Sequence, residues 1–123
     1  QGTEIGRRRL GALAGGDPRS LPMVLSECGG IGFVDAGKRD GQEPDFAYGD
    51  IPETQEQLSQ ICQRLLAEIA EIPQLSGFVW TQLTDVQQEV NGLLYFDRSA
   101  KVPLEEIAGL VDNAAKKRDE RRP

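Results

Sequence analysis

The chain has 123 residues, an ordinary apolar content and a formal net charge of −6. This size predicts one small domain, and the acidic balance argues against nucleic acid or an anionic membrane as the main partner. Cys28 and Cys62 form no CxxC pair and the chain has no histidine, so we expect no zinc or other metal site. No segment is long enough to span a membrane. No signal peptide is visible, but the chain does not begin with Met, so this absence says little about location; the location stays unknown, with the cytoplasm favoured.

The first part of the chain predicts one buried strand between two irregular segments. Residues 1–20 are rich in glycine and arginine and predict a polar lead-in, with a short helical turn around residues 9–14. Residues 23–25 form a continuous apolar run, which is typical of a strand buried on both faces. Residues 28–53 carry many glycines and scattered acids without a sustained period, so we expect a long loop there.

The clearest predicted element is a helix that begins after Thr54. Thr54 with Gln57 three residues later matches a capping box, and Pro73 ends the helix because proline lacks an N–H. Apolar residues at helical spacing predict one buried stripe: Leu58, Ile61, Cys62, Leu65, Leu66, Ile69 and Ile72.

The remainder of the chain predicts a second strand, a second long loop and a second helix. Residues 77–80 form the strand, which ends on Trp80, the only tryptophan of the sequence. The loop over residues 83–101 contains Asn91-Gly92, a tight-turn signal. Pro103 opens the last helix, and residues 114–123 predict a charged, solvated and frayed tail.

This order of strand, helix, strand and helix predicts an α/β fold with parallel strands and a right-handed crossover. The loops that follow the strands are long, whereas the connection from helix to strand is short. In α/β folds the functional face lies at the carboxyl ends of the strands. We therefore expect any site at the end that carries Glu27 and Trp80.

Each candidate site residue has a functional and a structural interpretation. Glu27, beside Gly29 and Gly30, is either a nucleophile or general acid/base, or an ion-paired glutamate at a strand end. Trp80 either stacks on a sugar ring or packs in the core. The polar run 81–89 either binds hydroxyl groups or pins its loop through side-chain hydrogen bonds. Weaker candidates in this run and in the first loop are Gln82, Asp85, Glu89, Tyr48, Asp50 and Glu53.

Four segments together resemble the C-terminal part of the catalytic TIM barrel of glycoside hydrolase family 2, which includes β-galactosidases, β-glucuronidases and β-mannosidases. The matching segments are residues 21–30, 48–54, 77–93 and 97–98. The resemblance implies that residues 21–113 form the last two units of a (β/α)8 barrel, between the lead-in of residues 1–20 and the charged tail of residues 114–123.

The resemblance also implies a chemistry. Glu27 would be the nucleophile of a retaining hydrolysis of β-glycosides, and Trp80, Gln82 and Asp85 would contact the sugar, with no cofactor. The family's acid/base is a glutamate that follows an asparagine upstream, and these 123 residues contain no Asn-Glu pair. The isolated chain is therefore expected to be inactive, and the remainder of a barrel or an oligomeric partner would complete the site. The sequence departs from the family at Cys28, where an aromatic residue is usual, and at Trp80, which replaces a tyrosine often found there. Strand alternation predicts that Cys28 faces away from Glu27.

Two other functions fit the same residues. The chain would be a non-catalytic assembly module if its strand edges pair with a second copy or a partner chain. It would be a free-standing carbohydrate-binding domain if Trp80 and the polar loop residues hold a sugar by themselves.

Overall fold

The computed structural model describes residues 3–5, 8–10, 21–35, 37 and 51–120. Within these ranges the elements are, in chain order, β1 (Thr3–Ile5), β2 (Arg8–Leu10), β3 (Met23–Gly29), α1 (Gln55–Ala70), β4 (Leu75–Thr81) and α2 (Leu104–Glu120). β1 and β2 pair antiparallel in one sheet, and β3 and β4 pair parallel in another.

The elements β3, α1, β4 and α2 confirm the predicted order of strand, helix, strand and helix. β3 and β4 run parallel because α1 carries the chain back to the end of the sheet at which β3 began. The described residues thus form a small α/β arrangement, and the loops after β3 and β4 leave the sheet at the same end.

Helix α1 begins and ends as its sequence predicts. The Oγ1 atom of Thr54 accepts a hydrogen bond from the Gln57 backbone N–H at 3.1 Å. The Gln57 side chain returns to the backbone N–H of Glu53 at 2.7 Å, one residue before the cap. Both bonds satisfy donors near the start of the helix. Burial at Leu58 and Cys62 confirms the predicted apolar stripe.

The core lies between the parallel sheet and the helices in two clusters. The first contains Ile31, Phe33, Leu58, Cys62, Tyr95 and Val102, with Trp80 packed against it. The second contains Ile69, Ile72 and Leu75, with Met23, Leu25, Cys28 and Phe78 packed against it. Residues from β3, β4 and α1 meet in these clusters, so this face of the sheet is turned toward the helical layer.

The opposite face of the parallel sheet carries exposed apolar side chains. Val24 is 58% exposed and Val79 is 52% exposed. Valine is common in parallel strands whose sheet is covered on both faces. The continuous apolar run that predicted a strand buried on both faces is therefore buried on one face among the described residues.

Three local expectations are wrong. The turn signal Asn91-Gly92 does not form a tight turn. Tight turns of this loop lie at residues 87–88, where Val86 and Glu89 exchange backbone hydrogen bonds, and at residues 96–97, where the Arg98 N–H donates to the Tyr95 carbonyl at 2.9 Å. The expected helical turn at residues 9–14 is replaced over residues 8–10 by strand β2, and residues 11–14 lie outside the described residues. The expected frayed tail is helical as far as Glu120.

Two contacts hold the C-terminal part of α2, where the sequence predicted a frayed tail. Ala114 is buried, and Arg118 donates a hydrogen bond from its guanidinium to the backbone carbonyl of Ser76. Arg118 is therefore held against the sheet, whereas Lys116, Lys117, Asp119 and Glu120 are exposed, as the sequence predicted for this segment.

Candidate functional site

A bulge in β3 presents Glu27 near the carboxyl end of the sheet. The register pairs Leu25 with Phe78 and Cys28 with Trp80, so β3 has one more residue than β4 over this interval. Both intervening residues, Ser26 and Glu27, are exposed. Bulges of this kind re-aim side chains and are frequent beside active sites.

Two glycines after the bulge turn the chain sharply away from the sheet. Gly29 has φ +90° and Gly30 has φ +66°, conformations that other residues rarely adopt. The Gly30 N–H donates to the carbonyl of Thr81 at 2.7 Å, which joins the end of β3 to the end of β4. The turn leaves the space beyond Glu27 free of a continuing strand.

Trp80 packs on the helical side of the sheet. Its indole contacts the first core cluster and lies against Gly29, where an added Cβ would stand 2.8 Å from the Cε2 atom of the ring. Because Cys28 also packs toward the helices, strand alternation directs Glu27 to the opposite face. Glu27 and Trp80 thus share an end of the sheet but leave it on different faces, and contact between the indole and a sugar stays a prediction.

Asp85 forms a buried ion pair. Its Oδ1 atom accepts from the Lys101 ammonium at 2.7 Å and from the Gly92 N–H at 2.8 Å. Asp85 is 6% exposed and Lys101 is 0% exposed. These are the contacts of a residue that pins its loop, which is the structural interpretation of the polar run.

Lys101 connects the two loops that follow the strands. Its ammonium also donates to the carbonyls of Phe33 at 2.9 Å and Val90 at 2.7 Å, and it lies 5.3 Å from the centre of the Tyr95 ring. Burial lowers the pKa of Lys101, and the Asp85 carboxylate opposes that shift. The burial of Lys101 could not be predicted from the sequence, because one lysine before an apolar residue carries no local signal of burial.

Gln82 also joins two parts of its own loop. Its side-chain amide donates to the Asn91 carbonyl oxygen Oδ1 at 2.7 Å and to Glu89 at 3.4 Å. Its backbone accepts from Leu93 at 3.0 Å. Gln82, Glu89 and Asp85 therefore shape the loop after β4, while any contact of Gln82 or Asp85 with a sugar stays a prediction.

The two cysteines are free thiols. Cys28 donates to the carbonyl of Val79 at 3.3 Å, and burial raises the pKa of this thiol to about 11. Burial likewise raises the pKa of Cys62, in the core, to about 11. Both groups are therefore protonated and weakly nucleophilic at neutral pH, which leaves Glu27 as the exposed candidate nucleophile at this end of the sheet.

Of the weaker candidates in the first loop, Glu53 lies within the described residues. Glu53 is exposed and its backbone N–H binds Gln57 at the start of α1. Tyr48 and Asp50 lie outside the described residues.

The described ranges contain neither a metal-ligand cluster nor a membrane-spanning helix. Residues 21–35, 37 and 51–120 hold no group of three or more histidine, cysteine or acidic side chains arranged to hold a metal ion. No helix in the same part of the chain combines the length and apolarity needed to cross a bilayer.

Neither a protein-family model nor a curated protein sequence matches the chain. The geometry of the site and the motifs of the sequence are therefore the basis for proposing a function.

Proposed function

We propose that this chain contributes Glu27 as the nucleophile of a retaining β-glycosidase. The observation that carries the proposal is the bulge in β3, which exposes the Glu27 carboxylate beside the turn at Gly29 and Gly30. The family resemblance of residues 21–30 and 77–93 supplies the reaction class. A parallel sheet whose long loops share one end provides the setting in which such sites occur.

The reaction begins when a Glu27 carboxylate oxygen attacks the anomeric carbon. The bond from that carbon to the leaving oxygen breaks, and a glycosyl ester of Glu27 forms. Water then attacks the ester, restores the carboxylate and releases the sugar with retained configuration. A second carboxyl group about 5–5.5 Å away must protonate the leaving oxygen.

Asp85 is a poor candidate for that second carboxyl group because it is buried and paired with Lys101. The proton donor is therefore assigned to a residue outside this chain. We expect the chain alone to leave ordinary glycosides intact. General acid catalysis is typically worth about 10²–10⁴-fold. Asp85 and Lys101 instead hold the loop beside the site.

A fluorosugar with an activated leaving group tests whether Glu27 acts as a nucleophile, because its reaction does not require the general acid that this chain lacks. We expect the chain to be labelled by 2,4-dinitrophenyl 2-deoxy-2-fluoro-β-galactoside or -glucoside, because dinitrophenolate leaves without a proton. Intact mass spectrometry should show one added sugar, and peptide mapping should locate it on Glu27. Glu27→Gln should abolish the label, whereas Glu68→Gln, an exposed acid on α1, should keep it. Label on another residue, equal label on Glu27→Gln, or no label at all would contradict the proposal.

A non-catalytic assembly module is the second candidate, and the exposed sheet face favours it. Val24 and Val79 lie on neighbouring strands of a sheet that has two strands within the described residues. Full burial of an exposed valine contributes about 1.5–3 kcal/mol, so covering these half-exposed side chains with a second chain contributes roughly half as much each. This interpretation needs no chemistry at Glu27.

Sedimentation equilibrium tests the assembly module. We expect self-association that is weakened at least about tenfold by the double variant Val24→Thr and Val79→Thr, which keeps the β-branched shape and removes apolar surface. Ile51→Thr, an exposed residue before α1, is the matched control and should leave association unchanged. A monomer at every concentration would exclude self-pairing.

A further inference from the structure

The helical side of the sheet contains a cavity that the proposed glycosidase chemistry does not use. Its volume is about 430 Å³, within the range of about 300–1,000 Å³ that is usual for small-molecule sites. It lies between α1, β4 and α2, and the lining is largely apolar, including Ile72, Leu75, Phe78, Trp80 and Val111. An apolar ligand would gain by leaving water for this space.

One charged side chain, Arg118 of α2, lines the same cavity. Its guanidinium donates to the Ser76 carbonyl, and its Nε atom is buried with no hydrogen-bond partner among the described residues. The Arg118 side chain as a whole is 31% exposed, and its guanidinium carries further N–H donors for an acceptor in the cavity. Guanidinium groups bind carboxylates particularly well because several N–H donors share one plane.

Asp119 limits the negative charge that an anion bound at Arg118 can carry. Its Oδ1 atom lies 4.0 Å from the Arg118 Nε, and the Asp119 side chain is 65% exposed. A second negative charge beside Arg118 would be repelled by this carboxylate. A singly charged carboxylate therefore fits the position better than a phosphate, which carries more charge at neutral pH.

We propose that this cavity binds a medium-chain fatty acid, with the alkyl chain between α1, β4 and α2 and the carboxylate on Arg118. The apolar lining selects the alkyl chain, and the Arg118 guanidinium selects the carboxylate head group. The cavity lies on the face of the sheet opposite to Glu27, so the fatty-acid proposal is independent of the proposed glycosidase function.

Trp80 supplies a direct readout because it lines the cavity and is the only tryptophan of the chain. We expect decanoate, kept below its micelle concentration, to change Trp80 fluorescence saturably with one equivalent bound by calorimetry. Decanol has the same chain without the charge and should bind roughly tenfold to hundredfold more weakly, the usual value of a hydrogen bond to a charged group. Equal affinity for acid and alcohol, or no saturable binding, would overturn the proposal.

Variants of α2 separate the two parts of the site. Arg118→Gln should weaken decanoate roughly tenfold to hundredfold and leave decanol unchanged, whereas Asp119→Asn should strengthen decanoate. Ala114→Leu places a larger side chain in the cavity and should abolish both, and Ala108→Leu, on the exposed side of the same helix, is its control.

The variants also distinguish a lipid from a protein occupant. If the cavity receives an apolar side chain from a second copy, Ala114→Leu will convert a concentration-dependent dimer to a monomer and neither probe will saturate. That result would overturn the fatty-acid proposal, as would undiminished decanoate binding by Arg118→Gln. Arg118→Gln keeps the test decisive should Ala114→Leu fail to fold.

Discussion

Lys101→Met is expected to lower the free energy of unfolding by about 3–5 kcal/mol, the usual cost of removing one partner of a buried ion pair. The ammonium is 0% exposed and donates to Asp85, Phe33 and Val90. Methionine fills the same space but leaves the Asp85 carboxylate buried without its cation. The loss should appear in urea unfolding followed by circular dichroism.

A double-mutant cycle isolates the pair. Asp85→Asn should also destabilise, because it leaves the Lys101 charge buried without its anion. The combination of Lys101→Met with Asp85→Asn should cost less than the sum of the single changes. Lys116→Met, an exposed lysine on α2, is the control and should stay within about 0.5 kcal/mol of the parent chain. A loss below about 1 kcal/mol for Lys101→Met would show a solvent-accessible pair instead.

The Asp85–Lys101 ion pair affects the candidate site by fixing the positions of the two loops beside it. Phe33 follows β3 and Val90 follows β4, and Lys101 binds the carbonyls of both. One buried ammonium therefore fixes the two loops against each other at the end of the sheet that carries Glu27. In Lys101→Met we expect faster hydrogen exchange at the Phe33 amide, which donates to the Val90 carbonyl at 2.9 Å.

Local sequence signals predicted the elements that local physics determines. The Thr54 cap, Pro73 and the apolar period between them determine α1, and Pro103 precedes α2 directly. The parallel pairing of β3 and β4 follows from the helix between them. Whether the two units belong to a larger barrel is not determined by these elements and stays a prediction.

The site was less predictable because its geometry depends on contacts between distant residues. Lys101 reaches Phe33 across 68 positions of sequence, and no pattern around either residue indicates that contact. The bulge at Ser26 and Glu27 depends on how β3 and β4 align, which a single strand does not encode. Strand ends alone placed Glu27 and Trp80 together, whereas alternation and the bulge place them on different faces.

Gly92 is required in this loop for a reason other than the tight turn that the sequence predicted. Asn91-Gly92 predicted a tight turn, but Gly92 is buried against the strand-like segment that contains Thr84 and Asp85. Its N–H donates to the Asp85 carboxylate at 2.8 Å. Glycine is needed there because two stretches of backbone approach each other closely, which a side chain would prevent.

Gly92→Ala is therefore expected to cost more than about 3 kcal/mol, above the usual range for overpacking. The new Cβ would stand 2.6 Å from the Thr84 Cα and closer still to the neighbouring backbone of Asp85, and backbone cannot move aside as a flexible side chain does. Gly109→Ala is the matched control: the added Cβ meets nothing within 4 Å in exposed α2, so this change should stabilise by up to about 1 kcal/mol. Urea unfolding of both variants gives the comparison. Equal stability of Gly92→Ala and the parent chain would mean that this backbone contact does not hold the loop, and that Asp85 and Lys101 hold it without Gly92.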